Sequence, residues 1–474
     1  MSTVGTIQTR LEKALKRASQ SDDRELAGRI RDEGHRLVFL LNGLLRSSRM
    51  YSTDNTALET PAQEFAGALK GLMDLLGAVH MVCVEDQVYV NDVRLRVRPT
   101  EQPVIDHLTA ELGRHDVGGL SFHKPPDAAA IKALAVVIGG PAAADRPRAA
   151  LAARLATIAD VELSGKWRFR LHGDATARKA DYREATRRAG PVVQEAMANL
   201  AAGRLPNPLP VRRAVIDLVD GLRDDASPAA AAPLRQRTMG PGEQHQLSVC
   251  GLALLLGKAV GLPEAALSDL GVAAMLHDVG YVRGGDRERH PAVGARLLLR
   301  QRGFHEAKVR RLLAVLEHHM PYTPADTSAG EPPSLFGRIL RVAEDYDLLV
   351  SSRPGQVPLP PPAALAVMWA GRGPEYDAIL LALFVQAMGL YPPGTVLELS
   401  DGSWALSVSG GRDHERFSWP VVQPVRAADG QALDGRERRD LFELRPSLQP
   451  RRIVDPFGEE FDVAGALDKA FGAG

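Results

Sequence analysis

The chain has 474 residues, 45% hydrophobic and 24% charged, with 58 basic side chains against 58 acidic ones. That length suits two or three domains, the composition excludes wholesale disorder, and the balanced charge excludes a global basic field for nucleic acid or anionic lipid. Two cysteines, Cys83 and Cys250, both in apolar runs, exclude a disulfide scaffold and a cysteine-built zinc module and read as inert buried thiols.

Residues 8–35 are polar with helical spacing (Leu11, Ala14, Leu15, Ala18) and predict a surface or coiled helix. Amphipathic helices are expected near 36–50 and 60–77. The run Leu37–Leu45, nine residues between Arg36 and Arg46, is shorter than the ~20 that span a bilayer, and no signal-peptide layout precedes it. A cytoplasmic protein without a membrane span is therefore expected. Only 10 of the 58 basic residues are lysine, and Ala, Gly and Pro abound, which points to the coding bias of a GC-rich bacterial genome.

Val79, Met81, Val82 and Val84, then Val88, Val90, Val93, Leu95 and Val97, read as a strand meander turning at Glu85–Gln87. Helices follow at 101–113, 127–138 and 147–158, with strands at Leu120–His123 and Trp167–Leu171. This third of the chain has no phosphate loop and no metal-spaced cluster. Residues 178–235 look helical, broken by the proline-rich stretches Leu205–Pro210 and Ser227–Pro233. From Gln244 to about Met388 the pattern is almost wholly helical. Beyond Pro392 a hairpin is predicted around Asp401-Gly402, with a further strand at Val421–Val425. The fold class expected is mainly α, with an N-terminal α+β module and a small C-terminal β appendage.

Chemistry enters through histidine. Thirteen histidines spread evenly over 474 residues would put about two in a 75-residue window, yet 245–319 holds six: His245, His277, His290, His305, His318 and His319. His277-Asp278 closes an apolar helix, His290-Pro291 opens another, His318-His319 closes a third, and Asp347 ends the run from Ile339. Neutral imidazoles with carboxylates make a mixed N/O shell suited to Fe, Mn, Zn, Ni or Co. Ligands at helix ends can converge inside a bundle. A lone histidine is better read as a packed or solvated residue, and His305, in a polar stretch, is left so; the pairs together favour a metal centre.

With these motifs the sequence resembles the HD superfamily of metal-dependent phosphohydrolases, and within it the HD-GYP cyclic di-GMP phosphodiesterases. The resemblance runs over about 236–402, through LGVAAMLHDVGY (270–281), RHPAVGARLLL (289–299), LLAVLEHHMPY (312–322) and FGRILRVAEDYDLLVSSRP (336–354). It implies a helical HD-type bundle in which His245, His277, Asp278 and Asp347 hold one metal. Asp278, the catalytic carboxylate, would bridge to a second metal held by His290, His318 and His319. Water activated between the two metals would attack phosphorus in line. Two divalent transition ions are expected, Fe or Mn first and Zn, Ni or Co as alternatives. The resemblance does not explain the N-terminal α+β region; with the pattern along the chain, the division expected is an N-terminal helical segment (1–35), an α+β sensor or interaction module (36–175), connecting helices (176–235), an HD-GYP-like domain (236–393) and a β extension (394–474).

The sequence departs from that pattern in informative places. Tyr281 stands where the family has a phosphate-binding Lys, and Gln356 replaces a second cation after Arg353-Pro354. Met320 and PYTPADTSAGEPP stand where the family continues its His-His motif. Pro241 stands where members with a third metal carry Glu, and the stretch from Gly280 to His290 is short. Arg353 and Tyr281 remain as weak substrate contacts. The expected activity is hydrolysis of a cyclic dinucleotide or another phosphodiester or nucleotide. The alternative is a degenerate signalling or scaffold protein that binds metal, and nucleotide at most, without turnover. Residues 36–175 would meet a signalling partner and a homodimer is compatible; no nucleic-acid polymer is expected, because the basic runs are short and interleaved with acids. Glu317 reads as an imidazole-orienting or exposed acid, Asp345 as a helix-face carboxylate, and Asn91 and Asp92 as turn residues.

Overall fold

The computed structural model describes residues 23–50, 55–84, 87–91, 93–95, 97–166, 182–224, 241–300, 306–323, 332–352, 355–410, 414–433, 437–456, 458–459, 461–463 and 465–467. Leu11, Ala14, Leu15, Ala18, Asp92, Trp167–Leu171, Ser227–Pro233, His305 and Arg353 lie outside the described residues.

Helix α1 (Asp23–Ser48) runs unbroken through the point where a polar segment was expected to give way to a separate helix at residue 36. Ile30, Leu37, Leu41, Leu44 and Leu45 recur at helical spacing and are all buried, so one apolar stripe unites both halves. Helix α2 (Glu59–Leu76) buries Phe65, Leu69, Leu72 and Leu76 and ends at Gly77, whose φ of 86° lets its amide reach back to the Met73 carbonyl. Strands β1 (Val79–Val84), β2 (Gln87–Val90) and β3 (Val93–Arg94) form the expected meander. Helix α3 (Gln102–Arg114), β4 (Gly119–Phe122), α4 (Ala128–Gly139), α5 (Pro147–Leu155) and β5 (Val161–Ser164) follow, and the antiparallel sheet has the order β3-β2-β1-β4-β5.

Both faces of this sheet are covered. Met81 pairs with Val90 and Leu120, and this face packs on the helices. The opposite face, with Val82, Val84 and Tyr89, buries Leu209 from helix α7 (Pro208–Asp224), and Arg213 donates to the Tyr89 hydroxyl at 2.9 Å. His80 on that face is 2% exposed. Its ring Nδ1 lies 2.9 Å from the Ser121 hydroxyl, and its amide donates to the side chain of Asn91, a residue with φ 54°. Asn91 thus ties two strands together as well as turning the chain.

Burial, reinforced by the neighbouring His123 and opposed by Glu162, pushes the His80 imidazole down from 6.5 to about 3. Its folded value lies below its unfolded one, so its contribution is complete above pH 6.5. As pH falls from 6.5 towards 3 the unfolded chain takes up a proton that the fold refuses. The unfolding free energy is expected to drop by about 1.4 kcal/mol per pH unit from this residue. Urea unfolding from pH 7 to 4 measures the slope; His80→Gln should flatten it by that amount, and an unchanged slope would remove the assignment.

The helical part begins with α6 (Tyr182–Ala201) and α7. It continues through α8 (Pro241–Ala259), α9 (Glu264–Leu276), a 3-10 turn (Val279–Arg283), α10 (His290–Leu299), α11 (Glu306–Glu317), α12 (Leu335–Val350), α13 (Pro361–Ala370) and α14 (Ala378–Met388). Helix α9 is apolar nearly all round because it packs against α7, α8 and α11 together, while α8 also carries α12 and α14. Leu252, Leu256, Leu270, Ile339, Tyr346 and Phe384 fill the core they share. A second antiparallel sheet, β6 (Val396–Leu399), β7 (Trp404–Ser407), β8 (Val421–Arg426), β9 (Arg439–Asp440) and β10 (Pro450–Ile453), has the order β10-β6-β7-β8-β9. The β6–β7 hairpin turns at Asp401-Gly402 as expected, with Gly402 at φ 81°. The protein is thus mainly α, with an α+β region before the helices and a small sheet after them. Among the described residues no helix is long and apolar enough to cross a membrane.

Candidate metal centre

Four helix ends and one helix interior meet at one end of α9. His277 is the C-terminal cap of α9, and Asp278 begins the turn that follows. Gly280 is required in that turn: a β-carbon there would collide with the backbone carbonyl of His290. The Asp286 side chain accepts from the amides of Glu288 and Arg289, and Pro291 fits the first turn, so α10 starts with His290 facing inward and buried. His318 and His319 leave the end of α11. Ser334 caps α12 and donates its own amide to Glu317, which is buried and joins α11 to α12. Glu317 therefore braces the two helices and is not an exposed acid.

The structure brings all seven candidate ligands together. Asp278 places Oδ1 3.2 Å from His290 Nε2, and Oδ2 3.4 Å from His245 Nε2 and 3.5 Å from His277 Nε2. His245 also binds Asp347 through Nδ1 at 2.7 Å. His290 and His318 point Nε2 at each other across 3.0 Å. Tyr281 stacks on His290 with ring centroids 4.0 Å apart, the packing role a phenol at that position favours. Gln356 donates to the Leu348 carbonyl.

One residue escaped sequence reading. Glu344 on α12, 3% exposed, sets its carboxylate 3.5 Å from His319 Nε2 and 3.8 Å from His318 Nε2. It lies one helical turn before Asp347, and a carboxylate at i−3 inside an apolar run is the signal that would have found it. Arg341 supports the same corner: it donates to the His319 carbonyl at 2.7 Å and pairs with Asp345 at 2.8 Å. Asp345 is thus a brace for Arg341 and accepts the Tyr376 hydroxyl as well.

The donor set fits divalent metal. His277, His290 and His318 each direct Nδ1 at a backbone carbonyl, of Ala274, Asp286 and Val315, at 2.6, 3.1 and 2.7 Å. Those bonds place the ring proton on Nδ1 and leave Nε2 a lone pair, the arrangement a metal-binding imidazole requires. Two Nε2 lone pairs facing each other repel unless a cation lies near them. His277 Nε2, His319 Nε2, Asp278 Oδ1 and Glu344 Oε2 are all buried without a hydrogen-bond partner. Three groupings, His290–His318–His319, His245–His277–Glu344 and Asp278–His318–Glu344, each bring their donor atoms within 4.8 Å of one another.

Electrostatics agrees for three of the imidazoles. Burial lowers His277 and lowers His318 well below the ordinary value, and it takes His319 down to about 3, so these rings are neutral donors. Burial pushes Glu344 well up. Burial opposes the charged forms of Asp278 and His245 too, but their mutual contacts win. The surrounding imidazoles, of which His245 is the protonated one, hold Asp278 far below the carboxylate range, and Asp278 with Asp347 holds His245 at about 10.

The sequence profile described as HD domain matches residues 242–349. The chain is 29% identical over 177 residues to the cyclic di-GMP phosphodiesterase PA4108 of Pseudomonas aeruginosa, a match covering 33% of this chain and 42% of that protein. It is 32% identical over 145 residues to the cyclic di-GMP phosphodiesterase response regulator RpfG of Xanthomonas campestris pv. campestris, covering 27% of this chain and 38% of that one. The chain spans less than half the length of each of these relatives. Residues 242–349, the stretch that matches the HD domain family, contain every imidazole and carboxylate of the cluster.

Proposed function

We propose that this chain is a divergent HD-GYP-like phosphohydrolase that cleaves a cyclic dinucleotide, or another phosphodiester or nucleotide, at a two-metal centre. The observation that carries the reading is the cluster of buried donor atoms that make no hydrogen bond, His277 Nε2, His319 Nε2, Asp278 Oδ1 and Glu344 Oε2. His245, His277, Asp278 and Asp347 would hold one ion, and His290, His318 and His319 the other. Bound there, two transition ions, iron or manganese first, would supply Lewis acidity to phosphoryl oxygens and acidify an attacking water.

The chain's own residues do the rest. Asp278 is the catalytic carboxylate because its two oxygens face the two imidazole groups separately. The carbonyls of Ala274, Asp286 and Val315 fix the tautomers, so no ring rotates when the site is loaded. Tyr281, 45% exposed, covers His290 from solvent and offers a hydroxyl to substrate. Residues 36–175 would receive or transmit a signal.

One observation favours the second reading, a signalling relative without turnover. Tyr281 and Gln356 are uncharged where phosphate contacts are expected, and Gln356 spends its amide on a backbone carbonyl. Elemental mass spectrometry of protein purified without chelator, with turnover of cyclic di-GMP and a generic phosphodiester on the same sample, decides between them. About two metals per chain with turnover is the expected result. Metal without turnover of either substrate would establish the second reading, and a metal-free protein would overturn both.

A further inference from the structure

We infer that the cleft between the N-terminal sheet region and the helical region is a binding site for a small phosphoryl anion. A cavity of about 290 Å³ opens there, at the small end of ligand pockets. Lys70 and Asp74 of α2 and His123 after β4 form one wall; Gly203, Arg204 and Arg300 form the other. Three cations thus meet one carboxylate among the described lining residues. A fourth, Arg283, lays its guanidinium over Gly203, whose φ of +78° and missing β-carbon let it approach the backbone.

The back of the cleft is built. The His123 side chain is 7% exposed, places Nε2 3.1 Å from Glu162, and has Nδ1 buried without a hydrogen-bond partner. Arg204 is steadied by Asp160 at 3.2 Å. Guanidinium forks on a rigid backbone match a phosphoryl group better than a single-point anion, and Lys70 adds a mobile charge from the opposite wall.

Two of these cations sit on the segments that carry the candidate ligands. Arg300 caps the C-terminus of α10, which begins with His290, and Arg283 ends the turn that follows Asp278. Leu200, Val279 and Leu297 pack together beneath them, joining α6 to both segments. Drawing Arg300 towards Lys70 would therefore load α10 as a rigid rod. This coupling, unlike binding itself, rests on the metal reading above.

Titration calorimetry with inorganic phosphate on the full chain tests binding in an Asp278→Ala background stripped with chelator, so that no metal at the candidate centre competes. Phosphate is expected to bind Asp278→Ala and to lose affinity about tenfold or more when Lys70→Ser and Arg300→Ser are added, as the loss of charge-assisted contacts implies. Equal affinity in both proteins, or none in either, would overturn the site. For coupling, phosphate should alter the rate at which a chelator strips metal from the native protein and should do so less in Lys70→Ser/Arg300→Ser. Equal responses would overturn the coupling and leave the binding result to stand by itself. A failed hydrolase reading shows instead as absent metal or turnover in the native protein, with the Asp278→Ala titration unaffected.

Discussion

Asp278→Ala is expected to reduce bound metal from about two ions per chain to one or none, and to reduce turnover by at least about 10⁴-fold, roughly 5.5 kcal/mol of transition-state stabilisation. The geometry gives the reason. Asp278 Oδ1 faces His290 while Oδ2 faces His245 and His277, so its carboxylate is the contact between two sets of donors. Alanine leaves both sets of imidazoles intact but removes the negative charge between them. Glu344→Gln should be milder, loosening metal by about 10–100-fold, because a carboxylate on the flank of His318 and His319 supports ligands that remain. Metal analysis of both variants, with circular dichroism to show that the helices persist, checks the order. Full metal content in Asp278→Ala would remove the bridging role.

The second large effect is a gain. Tyr281→Lys combined with Gln356→Arg should raise turnover of cyclic di-GMP by about 10²–10⁴-fold, since each restored charge-assisted phosphate contact is worth about 1.5–3 kcal/mol. Tyr281 lies directly on His290, so a lysine in its place would extend along the mouth of the site. Removing the ring also uncovers the imidazole, and metal content must be measured alongside. If metal stays bound and cyclic di-GMP turnover does not rise, that substrate is wrong, and another phosphodiester would have to account for a phenol and an amide at these positions.

Much of the candidate site was legible because its candidate ligands lie at helix ends. His277-Asp278, His290-Pro291 and His318-His319 each couple a chemical group to a boundary, and boundaries leave marks in sequence: an apolar run stopping, a proline in a first turn. Glu344 left no such mark. It sits inside α12, where only its i−3 relation to Asp347 distinguishes it from a solvated acid.

The fold was legible where apolar periodicity was strong and obscure where charge dominated. Strand β10 carries Arg451 and Arg452, which pair with Glu398 across the sheet edge, so its residues look like a surface loop. Strand β5, only Val-Glu-Leu-Ser, is too short to show alternation. The union of α1 was hidden by composition: its polar first half and apolar second half look like two elements, although Ile30 continues the stripe of Leu37 and Leu41. The docking of Leu209 on the sheet is a contact between distant segments, and no local pattern encodes it.

The contact between Gly280 and the His290 carbonyl separates two properties that loops usually tie together. Because backbone touches backbone at that point, the distance from the His-Asp pair to the next histidine is set by a clasp, and the intervening residues only close a ring over it. Doubling such a ring costs only about 0.6 kcal/mol in closure entropy. Its length and composition can therefore drift, and with them the shape of the entrance, while the donors underneath keep their spacing. A short loop here is evidence of a changed doorway rather than of a damaged room.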